Sequence, residues 1–149
     1  MSAPGVVFHA PKHASIISTP IDGQISQVKK HEGASVTKGE ELFLIQSLEF
    51  GNLVSEYLQA FAEEQFQINR LNRLKQLVEE SISSANELER ATSEYQRARA
   101  SLRAAFSKLK AVGVTNNEIK DFVEAENIDP VLKIYAPISG VIEQNFIEL

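Results

Sequence analysis

The hydrophobic pattern changes character twice along the chain. From Ser15 to Gln46 the apolar residues come in short β-branched or alternating runs. These are Ser15 to Thr19, Gln24 to Lys29 with Ile25 and Val28, Ala34 to Thr37, and Glu41-Leu-Phe-Leu-Ile-Gln46. Asp22-Gly23, Glu32-Gly33 and Lys38-Gly39 separate them, and turns marked by glycine at this spacing predict a small all-β unit. From Ser47 the period lengthens. Phe50, Val54, Tyr57, Phe61, Ile68, Leu71, Val78 and Ile82 occupy positions spaced alternately four and three, as in a helix with one packed seam. Glu64 and Lys75 interrupt that seam, and Leu53, Leu58, Leu74 and Leu77 widen the apolar face. Ser47 is the predicted N-cap, with Glu49 near the positive end of the helix dipole.

Ser81-Ile-Ser-Ser-Ala-Asn86 breaks the pattern, and Ser84-Ala-Asn-Glu87 within it has the form of a capping box, which starts a second helix. There Leu88, Tyr95, Leu102 and Leu109 share one heptad position, and Ala91, Ala98, Ala105 and Val112 share the other. Large residues facing small ones let two helices approach closely, so the pair is predicted to be an antiparallel hairpin ~40–50 Å long. Gly113 is its C-cap. Thr115-Asn-Asn-Glu118 is another capping box, opening a short helix to about Glu126, and Asn127 to Pro130 ends it. Residues 1–15, with two prolines and no clear periodicity, read as a flexible lead-in.

The segments either side of the helices are copies of each other. Ile17, Pro20, Ile21, Gly23, Ile25 and Gln27 recur as Ile134, Pro137, Ile138, Gly140, Ile142 and Gln144, at one offset of 117 residues. Two copies are too few for a solenoid. They predict one β domain made of two half-motifs with a helical arm inserted. The expected division is a first half-motif over 16–47, a hairpin over 48–113, a short helix and linker over 114–130, and a second half-motif over 131–149. The second copy has no counterpart of Gly33, Gly39 and the strand after them, so the chain is expected to be a piece of a longer protein.

Composition narrows the function classes. The chain has 149 residues and a net charge of −5, which disfavours nucleic acid as a partner. No run approaches the ~18 apolar residues of a membrane-spanning helix. With no cysteine, disulfides, thiol catalysis and thiolate metal sites are excluded. The helical carboxylates Glu63, Glu64, Glu79, Glu80, Glu87 and Glu89 alternate with Arg and Lys and read as a solvated face, not as an acid–base pair. There is no phosphate-binding glycine loop and no nucleophile–base set. No catalysis and no cofactor are expected.

Pro20-x-x-Gly23-x-Ile25, followed by Gly33, Val36 and Gly39-Glu-Glu-Leu-Phe43, resembles a half-motif of a biotinyl/lipoyl domain. The implied fold class is α+β: a lipoyl-like β-sandwich or barrel split by a long antiparallel coiled-coil hairpin. Pro20, Gly23, Gly33, Gly39, Pro137 and Gly140 would be its structural residues. That split arrangement is similar to the periplasmic adaptor (membrane-fusion) subunits of tripartite efflux pumps. Ser47-Leu-Glu49 with Ser55 to Ala60, and Leu109 to Val114, resemble the heavy-metal, resistance-nodulation-division type. The resemblance covers residues ~16–149. It implies a protein of the periplasm, attached to or associated with the inner membrane. The implied partners are an inner-membrane transporter, an outer-membrane channel and further copies of itself in a hexameric ring. Adaptors of this family carry Arg-x3-Leu-x6-Ser at the hairpin tip, where they dock on the channel, and Arg73, Leu77 and Ser84 match that spacing.

Other candidates are weaker. His9 and His13 have a helical metal-ligand spacing, but Pro11 lies between them. His31 stands alone, and Met1 is the one methionine, so no metal site is expected within these residues. A biotin or lipoyl carrier would need a lysine on the turn between the halves, and none lies between Lys38 and Lys75. An adaptor for multidrug or protein export, and a self-contained coiled-coil scaffold, remain the alternatives.

Overall fold

The structure, a computed structural model, describes residues 5–10, 13–126 and 129–146, with side chains over 15–126 and 129–143. The chain is α+β and forms two compact units. Met1–Asn52, Val112–Val114 and Glu126–Leu149 make the first, and Leu53–Ala111 with Thr115–Ala125 the second.

The first unit holds the strands: β1 (Gly5–Ala10), β2 (His13–Ser18), β3 (Gln24–Val28), β4 (Ser35–Val36), β5 (Glu41–Gln46), β6 (Val131–Tyr135) and β7 (Gly140–Phe146). They form two antiparallel sheets, ordered β2-β1-β7-β4 and β3-β5-β6. The region expected as a lead-in contributes β1 and the start of β2, paired from Gly5 opposite Ser18 to Ala10 opposite His13. Val6-Val-Phe8 and Ile16-Ile17 favour extended backbone. The β-branched run Ser15 to Thr19 was legible, whereas Val6-Val-Phe8 is a continuous run with no alternation to mark it as a strand.

The two repeats interleave. β5, from the first half-motif, lies between β3 and the second half-motif's β6, while β7 lies between β1 and β4. Gly33 donates its N–H to the Ile142 carbonyl at 2.7 Å, and Ile142 donates to Ala34 at 3.0 Å. Gly39 donates to Ala136 at 2.8 Å, and Ala136 returns a bond to Glu40 at 2.9 Å. Gly33 and Gly39 have φ of +87° and +91°, a region that suits glycine. Leu42, Phe43 and Ile45 on β5, Leu132 on β6 and Ile142 on β7 are no more than 2% exposed. At the rim, Glu41 reaches Lys29 and, on β6, Lys133, at 3.0 and 3.5 Å. The hydrogen bond from Lys29 holds the Glu41 carboxyl below its usual range, with Lys133 adding to the effect.

Gly23 is needed for space, not for φ, as it is not among the positive-φ residues. A Cβ there would lie 2.6 Å from Ile45 Cγ2, 2.7 Å from the Gln46 carbonyl oxygen and 2.9 Å from Ser47 Cβ. Ser47 is itself buried; its hydroxyl donates to the Asp22 carbonyl at 2.5 Å and accepts the Phe50 N–H at 3.2 Å. The predicted N-cap therefore also fixes the turn.

Three helices follow: α1 (Leu48–Glu79), α2 (Ala85–Ala111) and α3 (Asn116–Glu124). Within the second unit, α1 and α2 run antiparallel, with Arg70 ion-paired to Glu94, Glu56 to Lys108 at 2.9 Å, and the Tyr57 ring beside Phe106. Ala91, Ala98 and Ala105 of α2 are buried, as the small-residue heptad position predicted, while Val112 at its end is half-buried; Leu109, from the large-residue position, is buried too. On α1 the buried positions depart from a strict heptad. Val54, Tyr57, Gln67 and Leu71 are buried, while Ile68 is half-buried and Lys75 exposed. The buried line thus moves one position earlier along α1, from Ile68 and Lys75 to Gln67 and Leu74, of which Leu74 is half-buried. Gln67 Nε2 donates to Glu63, but its buried Oε1 has no partner among the described residues. α3 begins at the Thr115 cap, whose hydroxyl accepts the Glu118 N–H at 3.2 Å.

Replacing Gly23 by Ala should cost about 1–3 kcal/mol, because the contacts it meets are backbone and packed core. Urea unfolding of the two proteins would check this, and equal midpoints would refute it.

Candidate functional site

α1 ends in a two-bond cap without the usual glycine. Ile82 N–H bonds the Leu77 carbonyl at 2.9 Å and Ser81 N–H bonds Val78 at 3.0 Å. This is the Schellman pattern, with Ser81 in the left-handed position at φ 58°. The turn leaves Ile82 70% exposed, so the residue expected to close the seam points to solvent instead. α2 starts at once. Ser84 Oγ accepts the Glu87 N–H at 3.2 Å, and Ser83 Oγ donates to the Glu87 carboxylate.

Beside this bend is a recess of about 410 Å³, lined by Arg70, Arg73, Leu74 and Leu77 of α1 and by Glu87 and Arg90 of α2. Arg73 and Leu77, singled out by spacing, meet here because residues four apart share a helix face. Arg73 is exposed and Leu77 half-buried. Ser84 does not line the recess; it is exposed and serves as the cap of α2. Arg70, Glu87 and Arg90 were missed by sequence reasoning. The signal for them lay in the antiparallel register, since the register that sets Arg70 against Glu94 and Glu56 against Lys108 sets Arg90 against Leu74 and Glu87 against Leu77.

The other candidates do not converge. His9 and His13 fall on β1 and β2, not on a helix, and their side chains lie outside the described residues. His31 is exposed in a turn. Among the described residues no three His, Cys, Asp or Glu side chains gather as a metal site requires. No described helix is long and apolar enough to cross a membrane. A second recess, along the helix pair, is lined by Tyr57, Leu102, Arg103, Phe106 and Ser107. Burial pushes the Tyr57 phenol above its usual pKa, but no base faces it there.

No family model matches the chain, and no curated protein matches it. Solved structures do. ZneB from Cupriavidus metallidurans is 21% identical, with a TM-score of 0.60 over 98% of this chain and 61% of that one. A MacA–MexA chimeric protein containing the Pseudomonas aeruginosa MexA α-hairpin domain is 19% identical, with a TM-score of 0.58 over 95% of this chain and 42% of that one. Spr0693, a membrane fusion protein from Streptococcus pneumoniae R6, is 18% identical, with a TM-score of 0.52 over 97% of this chain and 56% of that one. At these identities the likeness is one of fold. The chain spans 42% to 61% of the length of these three proteins.

Replacing Ser81 by Gly should stabilise the helix pair by roughly 1 kcal/mol, because Gly adopts the left-handed region without the Cβ penalty. A rise in the helical melting temperature would support this cap geometry. A fall would refute it.

Proposed function

We propose that this chain is the lipoyl-like and α-hairpin portion of a periplasmic adaptor, a membrane-fusion subunit linking an inner-membrane efflux transporter to an outer-membrane channel. The observation that carries the reading is the architecture. A β unit interleaved from two repeats is split by an antiparallel helix pair, and its fold is like that of a membrane fusion protein over 97% of the chain. Such a module works by spacing and docking. The bend, with Arg73, Leu77 and the exposed Ile82, is the docking end, and the β unit packs beside its copies in a ring, a hexamer by the family resemblance. The protein acts in the periplasm, held at the inner membrane.

Charge supports self-association. α1 carries five acidic and three basic residues, whereas α2 carries three acidic and six basic. One copy's α2 complements the next copy's α1 in charge, which suits a head-to-tail contact of the kind that closed rings use. The residues before and after the helices lean toward heavy-metal cation export of the resistance-nodulation-division type. The second reading is an adaptor for multidrug or protein export, which the same architecture serves.

In the full-length protein, Arg73→Asp or Leu77→Asp should abolish transport while far-ultraviolet circular dichroism shows the helices intact. Wild-type transport by both variants would refute docking at the bend. Cargo is read from a strain lacking the full-length gene, grown on graded zinc, cobalt, cadmium, copper and nickel beside dyes and detergents. Sensitivity to metals alone is expected. Sensitivity to dyes and detergents would move the protein to multidrug export.

A further inference from the structure

We infer that the recess at the bend takes one carboxylate side chain of a partner protein, an Asp or Glu next to an apolar residue. Arg90 of α2 shares its recognition with Arg73 of α1. The inference rests on the reading of the bend as a docking end, and goes beyond it in assigning the partner's chemistry and a second arginine.

The charges on the recess decide the occupant. Three guanidinium groups, Arg70, Arg73 and Arg90, line it against the single carboxylate of Glu87. Arg70 is taken by Glu94 across the helix pair, and Glu87 accepts a hydrogen bond from Ser83. With both carboxylates counted, the recess keeps one positive charge in excess, so one carboxylate completes it and a second would be repelled. Among the described residues neither Arg73 nor Arg90 has an ion-pair partner. A guanidinium presents its donors as a planar fork that matches a carboxylate edge, which a phosphate-free protein partner supplies as Asp or Glu.

The apolar lining sets the second requirement. Leu74 and Leu77 share the recess with the arginines, and Ile82 stands 70% exposed at the same bend. An exposed ion pair by itself contributes little. Covering it with an apolar neighbour lowers the local dielectric and strengthens the pair. Charge then selects the partner, and the apolar contact holds it.

The test uses the whole chain and two probes, N-acetyl-Leu-Glu-amide and N-acetyl-Leu-Gln-amide, titrated to millimolar concentration. Nuclear magnetic resonance follows the Nε–H signals of Arg73 and Arg90. The Glu probe should shift both signals saturably and bind about fivefold tighter than the Gln probe, the size expected of one exposed charge pair. Arg90→Gln should remove that preference. Arg90→Lys, which keeps the charge without the fork, should restore part of it. Equal binding of the two probes, or a preference unchanged in Arg90→Gln, would overturn the inference. In cells, lost transport for Arg73→Asp with normal transport for Arg90→Glu overturns the two-arginine site and leaves the adaptor reading standing. Loss in both supports the site.

Discussion

The fold depends on β5 having a partner on each side. Its residues Leu42, Phe43 and Ile45 are nearly sealed from water, and a central strand needs both neighbours to satisfy its backbone. One neighbour, β3, comes from the same half-motif. The other, β6, lies beyond all three helices. The chain must therefore leave the sheet at Gln46 and return at Val131. A flexible loop of that length would carry a closure cost in chain entropy. An antiparallel helix pair brings its own ends together while burying a seam. The Ser47 hydroxyl, bonded to Asp22 and to the first turn of α1, is where strand geometry changes to helix geometry.

The helix pair is held by contrast in side-chain size. Ala91, Ala98 and Ala105 form a buried column on α2, so the larger side chains of α1 reach close to its backbone. Close approach leaves little room for polar groups, yet Gln67 is buried there with one oxygen unpartnered among the described residues. Such a residue lowers stability but disfavours shifted registers. Register matters here because it aligns Arg90 with Leu74, and so builds the recess from both helices.

The functional proposal follows from this division of labour. In the proposed adaptor role, the helix pair provides length and the bend provides the docking chemistry. The non-glycine cap at Ser81 ends α1 abruptly and exposes Ile82. The Ser83–Glu87 and Ser84 bonds start α2 at Ala85, after five residues between the helices. A tight bend between two helices presents a small surface without a flexible loop, which would keep the entropy lost in the proposed docking low.

The sequence by itself determined the elements. Ser47, Ser84 and Thr115 marked the three helix starts, Ala91, Ala98 and Ala105 marked the buried column, and the Ile-x-x-Pro-Ile-x-Gly repeat marked the two β segments. These signals are local: a cap acts over three residues and a heptad over seven. Tertiary structure decided what depends on distant partners. Gly23 proved necessary because Ile45 and Ser47 crowd it, not because of its own φ. Val6-Val-Phe8 favours an extended strand, but β1's place in the sheet, between β2 and β7, depends on β7 returning from the far end of the chain. Ser84 went to the helix cap, while Arg70, Glu87 and Arg90 joined Arg73 and Leu77, because the antiparallel register places groups from two helices around one recess. Which residues share a surface is a property of packing, and a one-dimensional period cannot hold it.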